Sequence, residues 1–420
     1  MPQAAQQLGR YLLLDRIAYG GMAEIFRAKT FDEDGRTHLV AVKRVLQHLV
    51  EDEEFLQMIV DEARITAILD HENIARVYEF AHAAGEYFLA MEYVDGRDLR
   101  ALLERLRQTG KKLPFEHAAW IAYETALALH AAHTQRDAQG RFLRIVHRDV
   151  SPSNVLLSYR GEVKLCDFGI AKATTTRIQT KTGVIKGKVK YMSPEQAMGR
   201  KLDHRSDLFS LGTCLYEMLT LVPPFVAQTE VELIFAVREC RKRPLGELRR
   251  DAPTRFAAIV DKAMTRSRSA RFQSGAELAE ALRTFLDQFA PGYRRAHFAQ
   301  YMRQVFADDI ERDLRLMEEF VIAEGDSARM GENLIADVLG PDAPFTKFSP
   351  NVPRRDHTAS SEVSLVSGVS GDLDVSKVER PRHDPFHDQK TVMISRERFG
   401  LPPAEEPTQS PAAARRRAAA

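Results

Sequence analysis

Cysteine is scarce in this chain: Cys166, Cys214 and Cys240 are the only three in 420 residues. Spaced so widely, they support neither a disulfide scaffold nor a cysteine-based zinc site, and a reducing, cytoplasmic setting is the expectation. An excess of one charge is lacking as well. The 60 basic and 59 acidic side chains leave a formal net charge of +1. That provides no bulk attraction to nucleic acid or anionic lipid, and no nucleic-acid partner is expected. No stretch approaches the roughly 18 apolar residues of a membrane helix, and the first residues lack the basic-then-apolar order of a secretion signal. No membrane span is therefore expected. Hydrophobic residues at 44% and aromatics at 8% are ordinary for a globular protein, and the length leaves room for two or three domains.

What is present is a change of periodicity along the chain. Residues 11 to about 95 alternate short apolar runs with glycine and acidic turns, and Leu12–Ile17, Glu24–Ala28, Leu39–Val45, Val77–Ala81 and Tyr87–Glu92 read as strands. Between the third and fourth, Phe55, Ile59, Ile65, Thr66 and Leu69 fall on one helical stripe, and Glu62 falls on it too. A carboxylate on an apolar face needs a cation, because burying it alone is costly. Lys43, at the end of the apolar run Val40-Ala41-Val42, answers that need. From about 97 the pattern is mainly helical, with Ala119, Tyr123, Ala126, Leu127 and His130 on one face. Leu208 to Leu219 is apolar nearly all round, as in a helix at the centre of a large lobe. The expectation is an α+β chain: a short extension over 1–10, a small β-rich lobe over 11–95 and a larger helical lobe over 96–289. Residues 290–325 carry Phe298, Met302, Phe306, Leu314, Met317 and Phe320 among many charges. They read as amphipathic helices packed on the large lobe, with a partner-binding helix as the alternative. Residues 326–420 are rich in Ser, Pro, Asp and Arg, and disorder is expected there. Asp137-Ala-Gln-Gly140 marks a turn, so a small surface hairpin is expected within 133–145.

Two strings carry the chemistry. His147-Arg148-Asp149 is followed by Asn154, and then comes Asp167-Phe168-Gly169. Two carboxylates and a carboxamide suit phosphoryl transfer from a metal-bound nucleotide: one carboxylate takes a hydroxyl proton, while an Asp and an Asn hold Mg²⁺ on the phosphates. From these residues the chain resembles the eukaryotic-like Ser/Thr protein kinases, most closely their bacterial members. The resemblance implies a bilobal kinase fold over 11–289, ATP with Mg (or Mn) as cofactors, and Ser/Thr hydroxyls of proteins as acceptors. It implies Asp149 as the base, Asn154 and Asp167 as metal ligands, and Lys43, paired with Glu62, on the α- and β-phosphates. The run Ile17, Ala18, Tyr19, Gly20, Gly21, Met22, Ala23, Glu24, Ile25 takes the place of the glycine-rich loop over the nucleotide, with Ile17 and Ile25 covering the adenine. Ala41 and Leu156 complete that pocket. Met91-Glu92-Tyr93-Val94 looks like the hinge, where the backbone of Glu92 and Val94 would bond the adenine edge. Structural roles follow for Arg148, for Phe168 against the helix of Glu62, for Glu195 of Ser193-Pro-Glu195 paired with Arg271, and for Asp207 accepting backbone hydrogen bonds from the catalytic loop. Thr180 and Thr182 are the expected autophosphorylation sites of the activation segment.

The chain also departs from the family pattern. Of the glycines expected at 18, 20 and 23 only Gly20 is kept. The family usually has Lys two residues after the base, where Ser151 stands here, and Thr after the glycine preceding Pro-Glu, where Lys188 follows Gly187. Lys188 reaching in to supply the charge that Ser151 lacks is the expectation, and a solvated loop lysine is its alternative. With these departures, Ser/Thr rather than Tyr specificity rests on the rest of the resemblance. Two other readings compete with an active protein kinase. A silent kinase-like scaffold is suggested by Ala18, Ala23 and Ser151, but Lys43, Glu62, Asp149, Asn154 and Asp167 are all present. A small-molecule kinase of similar fold is disfavoured by the activation segment and its Pro-Glu closure. In the tail, Lys390-Thr-Val-Met-Ile394 is a small apolar island whose Thr391, phosphorylated, could dock a phosphothreonine-reading partner; an incidental segment is the alternative.

Overall fold

Alternating side chains sort the small lobe into two faces. The computed structural model, which describes residues 6–31, 37–168 and 188–323, builds one antiparallel sheet there. Its strands are β1 (Gln6–Leu8), β2 (Tyr11–Tyr19), β3 (Ala23–Phe31), β4 (Thr37–Val45), β5 (Val77–Ala83) and β6 (Glu86–Glu92), in the order β1-β2-β3-β4-β6-β5. Val40 and Val42 of β4 join Phe88, Ala90, Tyr11 and Phe26 on one face. Ala41, Leu89 and Met91, offset by one residue, pack on the other face against Ala63 of the intervening helix. Lys43, two residues after Ala41, therefore points to the helix side. Two helices lead from β4 to β5, α1 (Gln47–Val50) and α2 (Glu53–Ala67). Asp52 caps α2, its carboxylate accepting the Phe55 amide at 3.1 Å. The strands extend up to three residues past the apolar runs, because the ladder continues through polar residues such as Lys29, Thr30 and His38, which pair across β3 and β4.

The large lobe follows with β7 (Gly96–Asp98), α3 (Leu99–Thr109), α4 (Phe115–Thr134), β8 (Val155–Ser158) and β9 (Val163–Leu165), and the three strands form a small sheet. Then come α5 (Pro194–Ala197), α6 (Arg205–Thr220), α7 (Glu230–Arg238), α8 (Leu245–Leu248), α9 (Thr254–Ala263), α10 (Gly275–Phe289), α11 (Arg295–Val305) and α12 (Ala307–Ala323). Helix α6 is the centre: every residue from Ser206 to Leu219 is buried. Its Ser210 and Thr213 hydroxyls donate to carbonyls four residues back, at 3.2 and 3.1 Å, which satisfies them inside the core. Gly212 lets α9 approach closely, since a β-carbon there would stand 2.8 Å from that of Ala263.

Phe298, Met302 and Phe306 enter the same core, so α11 is part of the large lobe's packing. Helix α12 does more than the sequence suggested. Its Asp309 accepts from Arg105 at 2.5 Å and its Asp313 pairs with Arg97 at 2.8 Å, but Asp313 also lies 3.8 Å from Arg27 of β3. It touches both lobes. The bridge between Arg136 and Phe142 makes the small hairpin, with the Asp137 carboxylate accepting the amides of Gln139 and Arg141 at 2.9 Å each. Among the described residues, no helix is long and apolar enough to cross a membrane. Gly169, Thr180, Thr182, Gly187 and the tail with Thr391 lie outside the described residues.

Candidate active site

One buried carboxylate shapes the catalytic loop. Asp207, in the first turn of α6, accepts the His147 amide at 2.8 Å and His133 Nε2 at 2.7 Å on Oδ2, and the Arg148 amide at 2.9 Å on Oδ1. Burial works to raise the Asp207 pKa, but His133, with the nearby His147 and the Arg148 amide, outweighs it and holds the group below the usual carboxylate range. Arg148 has a left-handed backbone, φ 66°, which a non-glycine residue adopts only under constraint. The constraint is visible on both sides: Asp207 holds its amide, and Gln196 Nε2 donates to its carbonyl at 2.9 Å. The next residue, Asp149, is thereby aimed. Its Oδ2 accepts Asn154 Nδ2 at 2.9 Å and Lys188 Nζ at 2.6 Å, and Asn154 Nδ2 also donates to the Asp149 carbonyl at 2.8 Å.

The β8–β9 hairpin brings in the second acid. Val155 pairs with Leu165, and the Cys166 amide donates to the Asn154 carbonyl at 3.0 Å. Asn154 thus stands beside Asp167, itself left-handed at φ 53°. Asp167 Oδ1 accepts Lys43 Nζ at 2.8 Å, while Glu62 Oε1 lies 4.0 Å from that ammonium. The geometry amends the expected pairing: Lys43 sits tightly on Asp167, with Glu62 at the edge of ion-pair distance. Burial disfavours the ammonium, but Asp167 and Glu62 outweigh it and raise its pKa, so Lys43 is cationic at neutral pH. An Asp and an Asn on adjacent strand ends suit a hard cation that takes its remaining oxygens from phosphate and water. Among the described residues no group of three His, Cys, Asp or Glu side chains could hold a metal by itself.

Above this floor lies the β2–β3 hairpin. Ala18 pairs with Ile25 and Tyr19 with Glu24, leaving Gly20, Gly21 and Met22 as the turn, closed by the Gly20 amide on the Ala23 carbonyl at 2.9 Å. Ile25 packs toward Ala41 and Met91. Ile17, at a bulge in β2, is exposed. Two of the expected nucleotide residues turn the other way. Tyr19 and Glu24 share the opposite face, and Glu24 is held there by Arg16 and Arg44 at 2.6 Å each. Their side chains are therefore corrected out of the pocket by strand alternation. At the hinge the Glu92 amide is taken by the Arg76 carbonyl at 2.8 Å, so an adenine contact at this residue falls to its carbonyl rather than its amide. The Glu92 carboxylate pairs with Lys164 at 2.7 Å. The Val94 backbone has no backbone partner among the described residues. Met91 is buried behind it, and Leu156 of β8 is half-buried below.

Supporting contacts complete the site. Glu195 and Arg271 are both buried and meet through two bonds at 2.7 and 2.8 Å, with the Ser206 hydroxyl adding a third at 2.6 Å. Although burial pushes the Glu195 pKa up, Arg271 and Ser206 outweigh it and lower it. Phe168 is fully buried with its ring 4.5 Å from that of His147, in a core that takes in Leu69 just past α2. Gln196 and His133 escaped the sequence reading. Neither lies in a spacing pattern, although Gln196 directly follows Pro-Glu and His133 ends a buried helix.

The family described as protein kinase domain matches residues 11–283. A tyrosine-protein kinase, MasK of Myxococcus xanthus, is 40% identical over 304 residues, covering 72% of this chain and 47% of that protein. The Ser/Thr-protein kinase PknA of Mycobacterium tuberculosis is 36% identical over 279 residues, 65% of this chain and 61% of that protein. This chain thus spans about half the length of the curated relatives it matches. In fold it is similar to the crystal structure of the PknI kinase domain of Mycobacterium tuberculosis, with a TM-score of 0.51, 24% identity, and coverage of 67% of this chain and 98% of that one.

Proposed function

This chain belongs to the protein kinase family, and on that footing we propose that it transfers the γ-phosphate of ATP to Ser and Thr hydroxyls of proteins. The observation that carries the proposal is the convergence of Lys43, Asp149, Asn154 and Asp167 through bonds of 2.8 to 2.9 Å beneath the β2–β3 hairpin. Family members use ATP with a divalent metal; here Asn154 and Asp167 would hold Mg (or Mn), which when bound neutralises charge on the phosphates. Lys43 binds the α- and β-phosphates, and Ile25, Ala41 and Leu156 sandwich the base against the hinge. The acceptor oxygen forms the new bond to the γ-phosphorus as its proton passes to the Asp149 carboxylate. The bond to the bridging oxygen breaks, and its electron pair leaves with ADP. Purified chain given Mg²⁺, ATP labelled in its γ-phosphate and a generic protein acceptor should transfer label, and Asp149→Asn should lower kcat by about 10²–10⁴. Absence of transfer by the wild-type chain overturns the assignment.

Tyrosine is a second reading, favoured by the name of the Myxococcus relative and its 40% identity. Phosphoamino-acid analysis of the labelled acceptor separates the two. The Ser/Thr reading includes a kinase domain over 11–289, a cytoplasmic location and a phosphothreonine-reading partner for Thr391. It also includes autophosphorylation at Thr180 and Thr182, which intact mass after incubation with Mg-ATP measures.

A further inference from the structure

Phosphoryl transfer spreads negative charge over the departing phosphoryl oxygens, and a fixed cation beside them lowers the barrier. The catalytic loop supplies none of its own between the base and the metal-binding Asn: Val150, Ser151, Pro152 and Ser153 are all uncharged. Ser151 is buried, and its hydroxyl is engaged with that of Ser153 at 3.1 Å. The charge at this spot comes from another part of the chain, with Lys188 Nζ 2.6 Å from Asp149 Oδ2. Lys188 is not loosely placed. Val189 and Tyr191, in the turn that follows it, are buried, and the Tyr191 hydroxyl donates to the buried Glu217 of α6 at 2.6 Å. Gln196 then ties the segment to the Arg148 carbonyl. The Lys188 side chain is about one-third exposed, so its ammonium is not sealed in the core.

We infer that Lys188 is a catalytic residue that binds the transferred phosphoryl group, delivering from the activation segment the positive charge that the loop lacks at Ser151. This rests on the kinase reading. In the reaction Lys188 shifts from Asp149 to the γ-phosphoryl oxygens, stays protonated throughout, and frees the carboxylate oxygen to take the acceptor's proton.

The test compares wild type, Lys188→Met and Lys188→Met/Ser151→Lys in the full chain, with Mg-ATP and a generic protein acceptor, and monitors each thermal unfolding midpoint. The expected result is a fall in kcat of about a hundredfold for Lys188→Met, with KM for ATP within about threefold and the midpoint unchanged. Restoring a lysine at 151 should then recover at least about tenfold of the loss. A kcat for Lys188→Met within about threefold of wild type overturns the inference and leaves the kinase reading intact. A loss that appears only in KM, or one that Ser151→Lys leaves unrepaired, overturns the claim that the missing element is a charge at the phosphoryl group. Wild type that transfers no label at all removes the kinase reading itself.

Discussion

Asp95, just past the hinge, shows how a single charge can be out of balance. One carboxylate oxygen is buried with no hydrogen-bond donor among the described residues, and the pKa is raised from 3.8 to about 6 by burial, with Arg27 opposing and Asp313 adding to the rise. A raised acid keeps its proton in the folded state after the unfolded chain has lost it. Its effect on stability is therefore nil below about pH 4, grows more unfavourable as pH climbs to about 6, and is constant above that. A rise of this size sets a ceiling of about 3 kcal/mol on the penalty. Asp95→Asn should accordingly raise the urea midpoint at pH 7.5 and leave it nearly unchanged at pH 4. A pH-independent effect would mean that the side chain's size, not its charge, matters. The catalytic residues were legible in the sequence for a different reason: Asp149, Asn154 and Asp167 sit at fixed spacings on one loop and hairpin. The direction of Glu24 was not legible, because a spacing motif does not say which side of a strand faces the ligand.

Among elements, the central helix was the clearest in the sequence, since Leu208 to Leu219 offers no polar face to water and α6 is buried through that whole run. Five of the six small-lobe strands were legible but short at their ends, because apolar counts stop where hydrogen-bonded polar residues continue, and β1 was missed inside the stretch read as an extension. What local patterns could not supply was the junction between α5 and the turn before α10, where Glu195 meets Arg271 across 76 positions. Only the family resemblance suggested that pair. Removing one partner of a buried ion pair leaves the other charged and desolvated, at about 3–5 kcal/mol. Arg271→Met should lower the unfolding free energy by that amount in urea titration, and Arg271→Met/Glu195→Gln should lose less than Arg271→Met alone. Equal losses in the two variants would show that the arginine acts through the carbonyls of Thr265, Arg205 and Arg266 instead.

At the scale of the whole molecule, the family match ends at residue 283 but the packing does not. Phe298, Met302 and Phe306 are at most 2% exposed, and at the usual worth of a buried apolar side chain they contribute together roughly 5 to 9 kcal/mol. A fragment 1–289 should therefore unfold at a far lower denaturant concentration than 1–323 and bind a hydrophobic dye that the longer fragment does not. Matching midpoints would show that the large lobe closes over without α11. Beyond it, Asp313 of α12 reaches Arg97 on one side of the hinge and Arg27 on the other, a clasp fastened across the joint between the lobes.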